Sequence, residues 1–381
     1  MKKIIRITTV PISLRTLLKG QLKFMSKHYE VVGLTSSGKE VNDIINDEGI
    51  RVIEVELSRS ITPLKDLKSL YKVFKVLKRE KPFIVHSHTP KAGTIGMIAA
   101  KFAGVPHRLH TIAGLPLLEA TGAKRILLDL VEKITYSSAN MIYPNSKGLR
   151  DIIIENKYTK PSKLKVIANG SSNGIDVNHF SIDQLSETDL GDLKNELQIQ
   201  NEDFVFIFVG RLVTDKGINE LICSFKKIQR KNVKLLLVGT FEEELDPLKD
   251  ETKKEIETNK NIIAVGWKND VRPYFAISNA LVFPSYREGF PNVVMQAGAI
   301  GLPSIVTNIN GCNEIIENKK NGLIIQPKNS DELLQAMELL LADEVITQKM
   351  AATSRDVICS NYKREVIWES LLKEYNSLES E

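Results

Sequence analysis

Short runs of β-branched and other apolar residues alternate along the whole chain with longer segments whose apolar positions recur every three or four residues. That rhythm predicts parallel strands joined by crossover helices, because parallel neighbours cannot be linked by a tight turn. Strands are expected near residues 4–8, 30–34, 51–55, 83–86, 108–112, 141–143 and 164–167. A second set is expected near 204–209, 234–238, 262–265, 280–283, 304–306 and 323–325. Between 169 and about 201 the rhythm fails: Gly, Ser and Asn give way to an acidic stretch, with Asn173-Gly174 as a turn signal. The pattern predicts an α/β protein of two domains, 1–180 and 181–361, with a helix over 362–381 returning to the first. Two facing Rossmann-like domains with parallel sheets would leave an interdomain cleft at the carboxyl ends of their strands, where such sheets bind ligands.

The 381 residues are 42% hydrophobic and 26% charged, too apolar for a disordered chain and too polar for an integral membrane protein. The longest uncharged stretch, 289–313, is interrupted by Pro291, Gly301 and Pro303, so a bilayer-crossing helix is not expected there. Cys223, Cys312 and Cys359 lie far apart, which speaks against a zinc site or a disulfide framework and for a reducing cytoplasm. Lys2, Lys3 and Arg6 interrupt the first apolar run, so it reads as a strand and not as a signal peptide.

The net charge of +5 conceals a division. Residues 1–165 carry 29 Lys and Arg against 14 Asp and Glu, a charge of +15, and the remainder carries 23 against 33, or −10. The first half is therefore either a solvated basic face or a surface for something polyanionic: nucleic acid, an anionic membrane or a phosphorylated substrate. Two segments concentrate this charge. In 65–81, Leu67, Leu70, Phe74 and Leu77 recur at helical spacing among Lys65, Lys68, Lys72, Lys75, Lys78 and Arg79. In 14–27, Leu17, Leu18, Leu22, Phe24 and Met25 lie among Arg15, Lys19, Lys23 and Lys27. The apolar stripes are expected to pack inward, the basic remainder to rest on anionic headgroups, and the second segment is a candidate for shallow insertion.

No two glycines are spaced as Gly-x-Gly and there is no Gly-Lys-Ser/Thr, which removes the dinucleotide and P-loop fingerprints. The strand expected at 204–209 instead runs into Gly210-Arg211-Leu212-Val213-Thr214-Asp215-Lys216-Gly217. A guanidinium that grips phosphate oxygens in pairs, an ammonium and helix N–H groups outline a diphosphate site, although exposed loops commonly carry Arg and Lys for no such reason. The strand at 280–283 runs into Pro284-Ser285-Tyr286-Arg287-Glu288-Gly289-Phe290-Pro291-Asn292. Pro291 suits a first helical position, which would set the positive end of a helix beside Glu288. That carboxylate can accept hydrogen bonds from sugar hydroxyls, and Gln296 is placed to reach a ribose. In the first half, His86 and His88 precede Thr89-Pro90, expected as a helix cap and first turn, with Lys91 and Gly93 after them. A phosphate could sit there, but strand-end histidines are more often structural, His86 especially. Glu119, in the loop 114–122, is either a ligand contact or a helix cap.

Residues 285–307 resemble the signature of the family 4 retaining glycosyltransferases of the GT-B fold, and 210–217 resemble their diphosphate loop. Residues 85–93, 173–176 and 321–327 follow in the family's order. The resemblance implies a nucleotide diphosphate sugar, UDP-linked, bound through Gly210, Arg211, Lys216, Glu288, Gly289, Phe290, Pro291, Asn292 and Gln296. Arg211 and Lys216 would hold the diphosphate and Glu288 the transferred sugar, with no metal and no cofactor. The acceptor would lie on the first domain, near His88, Lys91, His110 and Glu119, and the basic charge there favours a polyprenyl-diphosphate-linked saccharide. Gln296 stands where the family has a second glutamate, and Ala113 where many members have histidine; His110 or His88 could replace it, or none is required. The implied activity is metal-independent, retaining hexosyl or N-acetylhexosaminyl transfer in surface polysaccharide or lipid-linked oligosaccharide assembly, peripherally on the cytoplasmic face of the membrane. A sugar-nucleotide epimerase of the same architecture remains open. A nucleic-acid-binding protein is less favoured, since the first half lacks clustered aromatics or a recognition motif.

Overall fold

The computed structural model describes residues 1–58, 62–115, 117, 120–242 and 246–380. The chain forms two compact units, Met1–Gly174 with Arg364–Glu381, and Ile175–Lys363. The division falls before the expected boundary at residue 180, because Ile175 N already donates to Tyr362 O at 2.8 Å and the chain pairs there with Lys363.

The first unit is built on a six-stranded parallel sheet of order β3-β2-β1-β4-β5-β6. Its strands are β1 (Lys3–Ile7), β2 (Glu30–Thr35), β3 (Arg51–Glu54), β4 (Ile84–Ser87), β5 (His107–Ile112) and β6 (Met141–Pro144). Alternate side chains leave opposite faces, and both faces are covered, which is why the central strands read as nearly continuous apolar runs. Ile5, Ile7, Val32, Val85 and Ile112 pack under helices Pro63–Glu80, Pro90–Ala103 and Gly122–Ser138. Ile4, Val31, Ile84 and Leu109 pack with Leu14, Leu22, Leu371 and Tyr375.

Two expectations fail here for identifiable reasons. Residues 164–167 do not form a strand: Leu164 makes one bridge to Ile142 and Lys165 N donates to Ile142 O at 3.1 Å. Ala168 (φ 49°) and Gly170 (φ 107°) then bend the chain away from the edge. The basic segment 14–27 is two short helices, Pro11–Leu17 and Gln21–Met25, separated at Gly20. Leu14, Leu18, Leu22 and Met25 are all fully buried, so this apolar face belongs to the core and is not available for insertion. In Pro63–Glu80 the inward stripe is Ser69, Val73 and Leu77; Leu70 and Phe74 lie at its margin, and Leu67 is exposed.

The second unit has β7 (Phe204–Val209), β8 (Val233–Val238), β9 (Ile262–Gly266), β10 (Ala280–Phe283), β11 (Ser304–Thr307) and β12 (Gly322–Ile325), in the order β12-β11-β10-β7-β8-β9. The chain moves outward from β7, returns and restarts beside it at β10, with Ala280 opposite Phe206. The loops leaving β7 and β10 therefore flank the point where strand order reverses, the place at which open α/β sheets bind ligands. No helix among the described residues is long and apolar enough to cross a membrane.

Candidate active site at the carboxyl ends of the second sheet

Two backbones meet at this switch point. Gly217 (φ 72°) lies so close to the β10 loop that a Cβ would stand 2.1 Å from Pro284 O, which only glycine permits. Tyr286 N donates to Asp215 O at 2.9 Å, and Arg287 Nη2 to Asp215 Oδ2 at 2.8 Å. The loop 210–217 and the loop 284–291 are thus one rigid piece.

On this piece Lys216 Nζ forms an ion pair with Glu288 Oε1, and each side chain is only 17% exposed. Ser285 Oγ donates to the same carboxylate oxygen at 3.0 Å. The end of β11 fixes the loop from below: Thr307 Oγ1 donates to Ser285 O, and Asn310 Nδ2 to Glu288 O. Lys216 Nζ also stands 5.7 Å from the centre of the Phe283 ring. Burial pushes the Asp215 carboxyl above its ordinary value, with Lys216 pulling against it. Tyr286 OH donates to Glu220 Oε2 at 2.6 Å, anchoring the loop to the next helix.

Sequence reasoning placed Gly210, Lys216, Glu288 and Gly289 here, and the structure brings Lys216 and Glu288 into contact across 72 positions. Arg211 is further out: its side chain is 51% exposed and paired with Glu242. Phe290 is buried against Tyr362, ring centres 5.4 Å apart, and Pro291 is buried, so both shape the loop from the core side. Pro291 caps the helix Asn292–Ile300 and does not occupy its first turn; Asn292 is exposed and Gln296 half-buried on that helix. Asp215, Ser285, Thr307 and Asn310 received no role from the sequence, although Asn310-Gly311 after a strand was a readable turn signal. Cys312 is buried and its thiol pushed well up by that burial, so it offers no nucleophile.

The corresponding edge of the first sheet holds histidines. Arg6 is fully buried; its Nε donates to His88 Nε2 at 3.0 Å and its Nη2 to Gln21 Oε1 at 2.5 Å. Since Arg Nε–H can only donate, the proton of neutral His88 sits on Nδ1, a buried donor with no protein partner. His88 lines a cavity of about 20 Å³ with Thr111, Asn145, Ser171 and Ser172, room for little more than one water-sized group. His86 is hydrogen-bonded to Tyr375 OH (2.6 Å) and Thr111 Oγ1 (2.7 Å) and is structural. His110 Nδ1 lies 2.8 Å from Ser87 Oγ, and its ring so crowds Gly93 that a Cβ there would come within 2.3 Å.

Burial holds all three histidines neutral: His86 and His88 are lowered well below the usual value and His110 to about 4. Lys91 is paired with Asp66 on the neighbouring helix, so His88, Lys91 and His110 do not converge on one site. Thr89 takes the cap position, but its Oγ1 accepts from Thr9 N at 3.1 Å instead of capping its own helix. Glu119 lies outside the described residues.

With this geometry in hand, known proteins are informative. Residues 191–357 match the family Glycosyl transferases group 1, and residues 13–146 match Glycosyl transferase 4-like. The capsular polysaccharide biosynthesis glycosyltransferase CapM of Staphylococcus aureus is 36% identical over 99% of this chain and 97% of its own length. The chain belongs to the group 1 glycosyltransferases. This group 1 glycosyltransferase is also 32% identical to the Escherichia coli UDP-Gal:alpha-D-GlcNAc-diphosphoundecaprenol alpha-1,3-galactosyltransferase, over 83% of this chain and 81% of that one. Among solved structures, Anabaena HepE in complex with UDP superposes with a TM-score of 0.80 at 19% identity, covering 99% of this chain and 100% of its own. That likeness shows the GT-B fold. Family membership decides for a transferase over the epimerase and nucleic-acid-binding alternatives.

Proposed function

We propose that this glycosyltransferase moves a hexosyl or N-acetylhexosaminyl group, with retention of configuration and without a metal, from a UDP-linked sugar to a polyprenyl-diphosphate-linked saccharide in surface polysaccharide or lipid-linked oligosaccharide assembly. The observation that carries this reading is the Lys216–Glu288 pair on the two locked loops of the switch point.

In the absence of donor each charge neutralises the other. A diphosphate entering beside Lys216 replaces the carboxylate as its partner, and Glu288, still held by Ser285, is released to accept hydrogen bonds from hydroxyls of the transferred sugar. As the bond between the anomeric carbon and the phosphate oxygen lengthens, negative charge gathers on the departing diphosphate. Lys216 and Arg211, once they have exchanged their carboxylates for the diphosphate, meet that charge together with the helix start at Asn292. The acceptor hydroxyl attacks from the same face, and its proton passes to the leaving phosphate oxygen, so no protein nucleophile is consumed. Gln296 accepts from the ribose. His88 Nδ1–H, oriented by Arg6, is the histidine donor of the acceptor side, and Ala113 needs no replacement at its own position.

The E. coli relative, named for transfer from UDP-Gal to a sugar joined to diphosphoundecaprenol, supports the choice of donor nucleotide and acceptor class. A Campylobacter jejuni relative named for N,N'-diacetylbacillosaminyl-diphospho-undecaprenol supports the same acceptor class. The test is to incubate the full chain with individual UDP-sugars, a polyprenyl-diphosphate saccharide and EDTA, following UDP release and the anomeric configuration of the product by NMR. Acceptor-dependent release with a retained configuration is expected. An inverted product, a requirement for added metal, or release indifferent to acceptor would overturn it.

A further inference from the structure

Three neighbouring helices of the first unit, Pro63–Glu80, Pro90–Ala103 and Gly122–Ser138, cover one face of the sheet and bury their inner residues in a single core. Their outer side breaks the usual rule that a surface helix gives water its polar residues. Leu64 is 86% exposed, Leu67 65%, Phe102 71% and Ile126 72%, with Tyr71 and Leu130 also exposed. Eight of the sixteen large apolar side chains exposed among the described residues stand on these three helices, a concentration that marks an interaction surface. Between the first two helices runs an open groove of about 560 Å³, walled by Leu67, Leu70, Tyr71, Phe74, Ala99 and Phe102.

The charge on the same helices selects what covers this face. They carry eleven Lys and Arg against four Asp and Glu. Asp66, Asp129 and Glu80 are already paired with Lys91, Arg125 and, for Glu80, Lys3 and Arg51. Lys65, Lys68, Lys75, Lys78, Lys124 and Lys133 are exposed. Lys75 Nζ stands 4.6 Å from the centre of the Tyr71 ring and Lys78 Nζ 5.9 Å from that of Phe74. Aromatic bodies with cations beside them suit an interface whose deeper layer is apolar and whose outer layer is anionic.

We propose that the outer face of these three helices docks on an anionic lipid bilayer. Phe102, Ile126, Leu130, Leu64 and Leu67 enter the boundary between headgroups and acyl chains, and the lysines lie among the phosphates. This deepens the lipid-linked acceptor reading and rests on it only for the reason the enzyme meets a membrane. The surface itself is independent of the chemistry at Lys216.

The experiment is flotation of the full chain with phosphatidylcholine vesicles, with and without phosphatidylglycerol, at low and high salt. Wild type should float with the phosphatidylglycerol vesicles and lose binding as salt rises. A Phe102→Asp, Ile126→Asp, Leu130→Asp variant and a Lys65→Glu, Lys68→Glu, Lys75→Glu, Lys78→Glu variant should each bind about tenfold less. Because these side chains are exposed, both variants should keep wild-type thermal unfolding and transfer to a water-soluble acceptor analogue. Lys216→Ala should float like wild type, and loss of transfer with retained flotation would count against the chemistry alone. The proposal is overturned if wild type ignores the anionic vesicles, if both variants float undiminished, or if wild type is a dimer that the apolar variant converts to monomer, which would make a second copy the occupant.

Discussion

At the carboxyl edge of the second sheet three cations stand beside carboxylates: Lys216 by Glu288, Arg211 by Glu242, Arg287 by Asp215. At the same edge of the first sheet a single guanidinium, Arg6, is enclosed with neutral histidines, and its hydrogen bonds go to His88 and Gln21. Strand order in the two sheets is the same, so the difference lies in side chains and burial. Partly hydrated ion pairs can be opened by a competing anion, because each partner keeps some water through the exchange. A fully buried network such as that of Arg6, His88 and Gln21 cannot, since every bond lost leaves a dry polar atom. The edge of the second unit is thus suited to taking and releasing charge, and that of the first to keeping a fixed internal arrangement.

Acid should separate the two units most strongly. His86, His88 and His110 have folded values below the unfolded 6.5, so below that pH the unfolded chain binds more protons and stability is lost as pH falls. Each histidine withdraws stability as pH falls below about 6.5, and for His110 the loss continues down to about 4. Hydrogen exchange between pH 7 and 5 should show protection falling in β4–β6 more than in β10–β11, after correction for intrinsic exchange rates. Equal change in both would end the contrast.

Lys216→Ala should lower kcat by roughly 10²–10³-fold, with circular dichroism and melting nearly unchanged. Glu288→Gln removes the charge but keeps the shape; kcat should fall on the order of 10–100-fold while donor Kd moves less than about threefold. A Kd loss as large as the kcat loss would move Glu288 from transition-state contact to ground-state binding. Arg211→Ala, half in water and paired to Glu242, should cost only about tenfold in kcat/KM. Gln296→Glu should change KM for donor by no more than about twofold, and a larger rise would remove the ribose contact.

How much of this was legible beforehand depended on range. The runs that became β1–β12 were readable because strand period and burial on both faces are local facts of the sequence. Residues 164–167 misled because they have a strand's composition, while the positive φ at Ala168 and Gly170 carries the chain away. The motifs at 210–217 and 284–292 announced phosphate and sugar chemistry, but neither motif says that Arg211 turns to Glu242 while Lys216 turns to Glu288. His110 looked as available as His88 until Gly93 and Ser87 were seen to enclose it.

The amino-acid order by itself determined two parallel α/β units, the position of nearly every strand, and the two loops that carry the cations and the carboxylate, because periodicity and turn chemistry act over a few residues. Tertiary structure alone decided which charge meets which, that the apolar face of 14–27 is spent on the core, and that Phe102 and Ile126 are left outside. Those outcomes depend on which elements the topology makes neighbours, and a side chain's partner tens or hundreds of residues away leaves no trace in its local pattern.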